Sequence, residues 1–261
     1  MAHPYFLALA YVGTGFHGWQ VQPGKRTVQG ALLDAFRKLW PNAPMPQGTG
    51  RTDAGVHARF QGALGWMQRA WEPCRLMVAL NAHLPPDARV TSVVEAPEGF
   101  FPRQHAVAKR YAYRLGLGRV TDPFAESRIW HIYGASPLDI GAMATGASAL
   151  VGTHDFSSFR CSECAAATPV RTIFDVRLEP SGAGLDIVFE GDRFLMHQVR
   201  IMVGTLVDVG RGRLPPERVA EILAARDRCA AGATAPAMGL YLEKIWYGRE
   251  WGLGEPCPWS S

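Results

Sequence analysis

The chain has 261 residues, 48% of them hydrophobic and 19% charged, with a formal net charge of +4. This length supports one large domain or two ordinary ones, and the composition excludes a disordered or fibrous chain. The mild positive charge permits a nucleic-acid partner without requiring one. Five cysteines, an odd number scattered along the chain, do not suit a disulfide framework. The opening Met1-Ala2-His3-Pro4 carries no basic leader, and the apolar run 5–12 is too short to span a membrane. The expectation is a cytoplasmic protein with no membrane partner.

In chain order, 5–11 alternates as a strand, with Tyr5, Leu7, Leu9 and Tyr11 on one face. Gly13-Thr14-Gly15-Phe16-His17-Gly18 follows in the spacing of a dinucleotide-binding turn. That reading needs a helix opening at the third glycine, and Pro23-Gly24 breaks any such helix. About twenty residues on, where an acidic ribose-binding residue belongs, stands Lys38. A nicotinamide enzyme is therefore disfavoured. Thr27 then caps a helix whose apolar face is Val28, Ala31, Leu32, Ala35, Phe36 and Leu39. A strand at 62–68, a helix at 73–84 opening on Pro73 and a strand at 89–95 complete an α+β unit of about a hundred residues.

The second half echoes the first. A strand at 107–115 puts Val107, Lys109, Tyr111, Tyr113 and Leu115 on one face and Arg110 and Arg114 on the other. A further strand is expected at 128–133. Ser136 as N-cap, Pro137 at the first helical position and Asp139 in the first turn predict a helix to about 151. Strands at 170–178 and 185–189 pair through a turn at 180–184. A helix at 194–209 buries Leu195, Val199, Met202, Val203 and Leu206, with His197, Arg200 and Gly204 on a different face. A shorter helix at 215–225 and a closing strand at 240–247 precede a loosely ordered tail from 248. The expected division is 1–104, 105–247 and the tail 248–261.

The stretch with the densest chemistry is Gly50-Arg51-Thr52-Asp53-Ala54-Gly55-Val56-His57-Ala58, just after a Pro- and Gly-rich loop at 41–48. Its glycines permit a tight turn that presents Asp53 outward. Asp in a turn more often serves its own backbone, so this motif alone does not establish a catalyst. Lys109-Arg110-Tyr111-Ala112-Tyr113-Arg114 interleaves bases with aromatics, which suits either a half-exposed strand or a face where rings stack on bases. Arg200 lies in an apolar helix and, if it faces inward, needs a carboxylate, for which Asp53 is the best candidate. Cys161-Ser162-Glu163-Cys164 has the spacing of half a zinc site, but no second pair follows and chance spacing is favoured. His154 reads as a loop histidine.

Seven segments together resemble the tRNA pseudouridine synthase A family. They are Gly15 to Gln22, Gly50 to Ala58, Lys109 to Tyr113, Gly152 to Phe159, Pro169 to Ile173, Met196 to Arg200 and Ala235 to Leu240. The likeness runs in order from the first strand to the last and leaves only the tail uncovered. It implies isomerisation of uridine to pseudouridine in the anticodon stem-loop of tRNA, at tRNA positions 38 to 40, with no cofactor and no metal. It implies an α+β fold of two ferredoxin-like halves in a mainly antiparallel sheet, with helices on one face and a basic cleft. It also implies a homodimer with tRNA as partner. By the same resemblance Asp53 is the catalytic aspartate, Tyr111 contacts the target base and Arg200 pairs with the aspartate. Arg51 assists displacement of the base and Leu240 lines its pocket, while Lys109 and Arg110 join the substrate-binding set. The Cys161–Cys164 loop departs from the family pattern in detail only. The alternative is a non-catalytic RNA-binding protein of RRM-like architecture, which leaves the Asp53 loop and Arg200 unexplained.

Overall fold

The computed structural model describes residues 2–118, 120, 122–133, 137–182 and 184–259. By packing, the chain divides into two compact units, Met1–Val107 with Tyr241–Ser261, and Ala108–Leu240.

The first unit runs through β1 (His3–Tyr11), α1 (Val28–Leu39), the short β2 (Gln47–Gly48), β3 (His57–Met67), α2 (Pro73–His83), β4 (Ala88–Glu95) and the one-turn α3 (Pro102–His105). β1 is central, paired antiparallel with β3 on one side and β4 on the other. Both of its faces are buried. Leu7 and Leu9 are fully covered, and Phe6 and Ala8, which alternation alone would leave outward, are 6% and 4% exposed. On one face the Phe36 ring of α1 lies against Gly65, where a Cβ would come within 2.4 Å of it. On the other, Phe6, Phe100 and Tyr247 meet edge-to-face at 5.2–5.5 Å, the offset geometry that aromatic quadrupoles favour. α1 starts as expected, with the Thr27 hydroxyl accepting from the Gly30 N–H. α2 starts after Glu72, whose carboxylate accepts from the N–H groups of Cys74 and Arg75. β3 begins at His57, five residues before the apolar run at 62, because its pairing with β1 continues to Tyr11↔Ala58. Polar residues at its start hid that extension.

The second unit contains β5 (Ala106–Gly116), β6 (Trp130–His131), α4 (Ile140–Ser148), β7 (Gly152–Asp155), β8 (Val170–Ser181), β9 (Gly184–Gly191), α5 (Gln198–Gly210) and α6 (Arg218–Ala225). Its strands lie in the order β5-β9-β8-β7, all antiparallel, with β6 parallel to β5. Four sequence expectations shift here. The Ser136 cap lies outside the described residues, and α4 instead starts after Asp139, whose carboxylate accepts from Ala142 N–H at 2.8 Å. His154 lies on β7 opposite Arg171 rather than in a loop. α5 starts at Gln198, not 194, because His197 turns into the left-handed region at φ 62°. Gln198 then closes the turn, its N–H donating to Leu195 O and its Oε1 accepting from Leu195 N–H. α6 likewise starts at Arg218, after a turn at 215–217.

β10 (Leu240–Tyr247) returns the chain to the first unit, where Tyr241 and Leu242 pair in parallel with His57 and Ala58 of β3. From Arg249 to Trp251 the chain makes a 3-10 turn. Trp251 stacks on His105 at 4.2 Å and Cys257 is buried. This stretch is packed, where the sequence led to a loosely ordered tail, because its aromatic side chain finds a ring platform on α3. The protein is α+β with mainly antiparallel pairing, as expected.

Candidate active site

The Asp53 loop joins β2 to β3 and is braced by backbone on several sides. Val56 N–H donates to Asp53 O at 3.2 Å, closing a β-turn whose third residue, Gly55, has φ 81°. That conformation is open to glycine and costly to other residues. Gln61 Nε2 donates to Gly50 O at 2.9 Å, and the Tyr11 and Thr52 hydroxyls are bonded at 2.8 Å. Burial pushes the Tyr11 phenol well above its usual range, so it remains protonated there. Asp53 itself is half-buried, Arg51 is exposed and Thr52 is buried.

The Gly13–Gly18 segment lies directly beneath this loop. Trp19 N–H donates to Thr52 O at 3.1 Å and Gly55 N–H to Phe16 O at 3.2 Å. A Cβ on Gly13 would fall 2.0 Å from Val56 O, and one on Gly18, at φ 82°, would fall 2.5 Å from Thr52 O. The glycines that imitate a nucleotide fingerprint are there to let two backbones touch. Gly13 N–H also donates to Nδ1 of His57 at 3.0 Å, fixing that buried ring, which stacks on Tyr241 at 4.6 Å. Arg26 ties the segment down from outside. It donates to Gly15 O, lies 3.9 Å over the Phe16 ring and forms two hydrogen bonds with Asp87. Arg26 holds the Asp87 carboxyl below its usual range. Sequence reading missed Tyr11, Thr52 and Arg26 as supports; a G-x-G-x-x-G without its helix was the available signal.

In the second unit, β5 carries Lys109, Arg110 and Tyr111 opposite Gly191, Glu190 and Phe189 of β9. Tyr111 is 9% exposed, with its ring edge-on to Phe194 at 5.0 Å. Arg110 points to the opposite face and bonds the buried Glu190 at 2.7 Å, a carboxylate that Arg177 also reaches at 3.0 Å. Arg200 stands in the first turn of α5, where a cation opposes the helix dipole. Its position is fixed twice. Arg200 Nε donates to Ala235 O at 2.8 Å, and Ala235 N–H donates to Arg200 O at 3.0 Å. The 231–236 stretch that supplies these contacts lies tight on α5. A Cβ on Gly204 would meet Ala233 O at 1.8 Å, and Gly232 N–H donates to the Thr205 hydroxyl at 3.0 Å. The next carbonyl, Pro236 O, accepts from the buried Tyr113 hydroxyl at 2.7 Å. Burial drives the Tyr113 phenol far above its usual range, only partly offset by the charge of Arg200. Leu240, buried, closes the turn at 237–239.

Asp53 and Arg51 thus lie in the first unit, and Lys109, Arg110, Tyr111, Arg200 and Leu240 in the second. Cys161 and Cys164 are free thiols in a turn, Cys164 N–H donating to Cys161 O. Among the described residues no group of three or more His, Cys, Asp or Glu could hold a metal ion.

The family model described as tRNA pseudouridine synthase matches residues 147–248. That match and the curated relatives make the chain an isomerase that acts on tRNA. Curated relatives narrow the class. A tRNA pseudouridine synthase A of Myxococcus xanthus is 42% identical over 92% of this chain and 91% of its own. Those of Cereibacter sphaeroides and Moorella thermoacetica are 42% and 45% identical, covering 93% and 92% of this chain and 96% and 98% of theirs. The chain belongs to the tRNA pseudouridine synthase A family. A chain of the solved Cbf5-Nop10-Gar1 complex aligns with 77% of this one and 54% of its own, at 11% identity and a TM-score of 0.35.

Proposed function

We propose that the chain converts uridine to pseudouridine in the anticodon stem-loop of tRNAs, at tRNA positions 38 to 40, with Asp53 as the catalytic nucleophile and no cofactor. The observation that carries this reading is the bracing of the Asp53 turn. Two glycine-mediated backbone contacts, a tyrosine–threonine bond and a glutamine hold in place the turn that carries a half-buried aspartate. Such pre-organisation is what covalent catalysis needs from a nucleophile.

The chemistry asks for little else. The C1′–N1 bond breaks and C1′ joins C5, while C5 loses a proton and N1 gains one. Electrons and atoms balance within the substrate, so no oxidant, reductant or co-substrate enters. The aspartate acts by attack at C1′, by attack at C6 or by removal of the 2′ proton. Tyr111 contacts the target base, and Arg200 holds the aspartate. Arg51, exposed on the loop, fills the gap left when the base leaves its stack, a displacement costing a few kcal/mol. Leu240 lines the base pocket, and Lys109 and Arg110 contribute to binding the RNA. The working form is a homodimer.

The test is tritium release from tRNA transcribed with C5-tritiated uridine, with excess chelator and no added metal. Release by the unmodified chain, and none by Asp53→Asn despite retained tRNA binding, is the expected result. Normal turnover by Asp53→Asn would sink the proposal.

A further inference from the structure

Arg226 holds a backbone conformation that its side chain does not favour. It follows α6 in the left-handed region, at φ 53° and ψ 28°. Glycine takes that position after a helix freely, and other residues lose about 1–2 kcal/mol there. The Arg226 guanidinium, 68% exposed, pairs with Asp155 at 3.5 Å. An exposed pair of this kind contributes about 0–1 kcal/mol, less than the strain it accompanies. Stability alone therefore does not account for arginine at this turn.

The side chain stands at an open depression lined by Ser157, Arg160, Cys161, Ser162, Asp227 and Arg228 as well. Arg160 reaches Asp155 through its charge only. The two nearby carboxylates are already engaged. Asp155 also accepts from Ser157 N–H at 2.9 Å, and Asp227 accepts from Cys229 N–H at 2.9 Å. Arg228 is turned inward to Ala231 O, Gly232 O and the Thr234 hydroxyl, so it lends charge while its donors are used. The Ser157 side chain also bonds Asp155, which leaves the exposed fork of Arg226, the partly exposed Arg160 and the exposed Ser162 along the depression.

We propose that this depression binds a backbone phosphate of the tRNA substrate through Arg226 and Arg160. Guanidinium forks match phosphate oxygens bidentately, and such contacts set register on the RNA without reading sequence. The proposal rests on the chain binding tRNA, not on the role given to Asp53.

The experiment measures tRNA affinity for the unmodified chain, Arg226→Gly and Arg160→Gln between about 50 and about 200 mM salt, with thermal midpoints on the same samples. Each substitution is expected to weaken binding at low salt and to lower the slope of log K against log salt by about 0.7–0.9, the loss of one phosphate contact. The thermal midpoint of Arg226→Gly is expected to equal or exceed that of the unmodified chain, because glycine relieves the turn. Affinity and slope unchanged in both variants would overturn the proposal. So would a lower midpoint in Arg226→Gly with binding by Arg160→Gln unaltered, the pattern of an arginine kept for structure. Tritium release measured on the same preparations separates the two readings: its absence in the unmodified chain, with salt-dependent binding intact, would refute the functional assignment and leave this subsite standing.

Discussion

Gly18 shows how much of the Asp53 loop is held by backbone contact with a neighbouring segment. Its φ of 82° and the 2.5 Å between a would-be Cβ and Thr52 O exclude any side chain without movement of the loop. Gly18→Ala is therefore expected to cost about 2 kcal/mol or more, from strain at positive φ and from the displaced Thr52–Asp53 backbone. Denaturant midpoints measure the first effect and tritium release the second. Full turnover with only lowered stability would mean that the loop relaxes without moving Asp53. Asp53, the Gly50 and Gly55 turn residues and the Thr27 cap were legible as residues, because turn and cap chemistry is local. Arg110 was legible only as a base on a strand. Its bond to buried Glu190 depends on the β5–β9 register, which brings together positions 80 apart in sequence.

At the scale of elements, the stretch 231–236 acts as a strap across α5. It accepts Arg200 Nε at Ala235 and the Tyr113 hydroxyl at Pro236. Its close approach requires glycine at 204, where a Cβ would lie 1.8 Å from Ala233 O. Gly204→Ala is expected to push the strap away and carry the Arg200 anchor with it. If Arg200 holds the aspartate, turnover should fall about tenfold or more, equivalent to about 1.4 kcal/mol, while tRNA affinity stays within about twofold. Steady-state kinetics and a binding titration on one preparation read the two effects separately. A lower thermal midpoint with unchanged turnover would assign the strap to stability alone. Gly204 was visible in the sequence as lying off the apolar stripe of α5, but no periodicity announces a strap. Its residues are small and irregular, and their meaning comes from what they lie against.

At the scale of the molecule, the C-terminal segment belongs with the first unit. Tyr247 packs edge-on to Phe6 and Phe100 and bonds the Thr49 hydroxyl, and Trp251 stacks on His105. A chain ending at Leu240 is expected to destabilise the first unit by at least about 3–5 kcal/mol, the cost of removing one large buried aromatic side chain. Thermal unfolding and limited proteolysis of 1–107 would show it, and an unaltered melt would refute it. The short β2, α3 and β7 escaped the sequence reading, but by itself the sequence determined the fold class, the longer helices and strands, and the loop that carries Asp53. Those follow from periodicity, capping and turn chemistry, which act over a few residues. Only the tertiary structure decided that Gly13 and Gly18 brace the Asp53 loop, that Arg200 is clamped by a strap 35 residues downstream, and that the last strand completes the first unit. Each of these is a contact between segments distant in the chain, and nothing in local sequence encodes which distant backbone a glycine leaves room for.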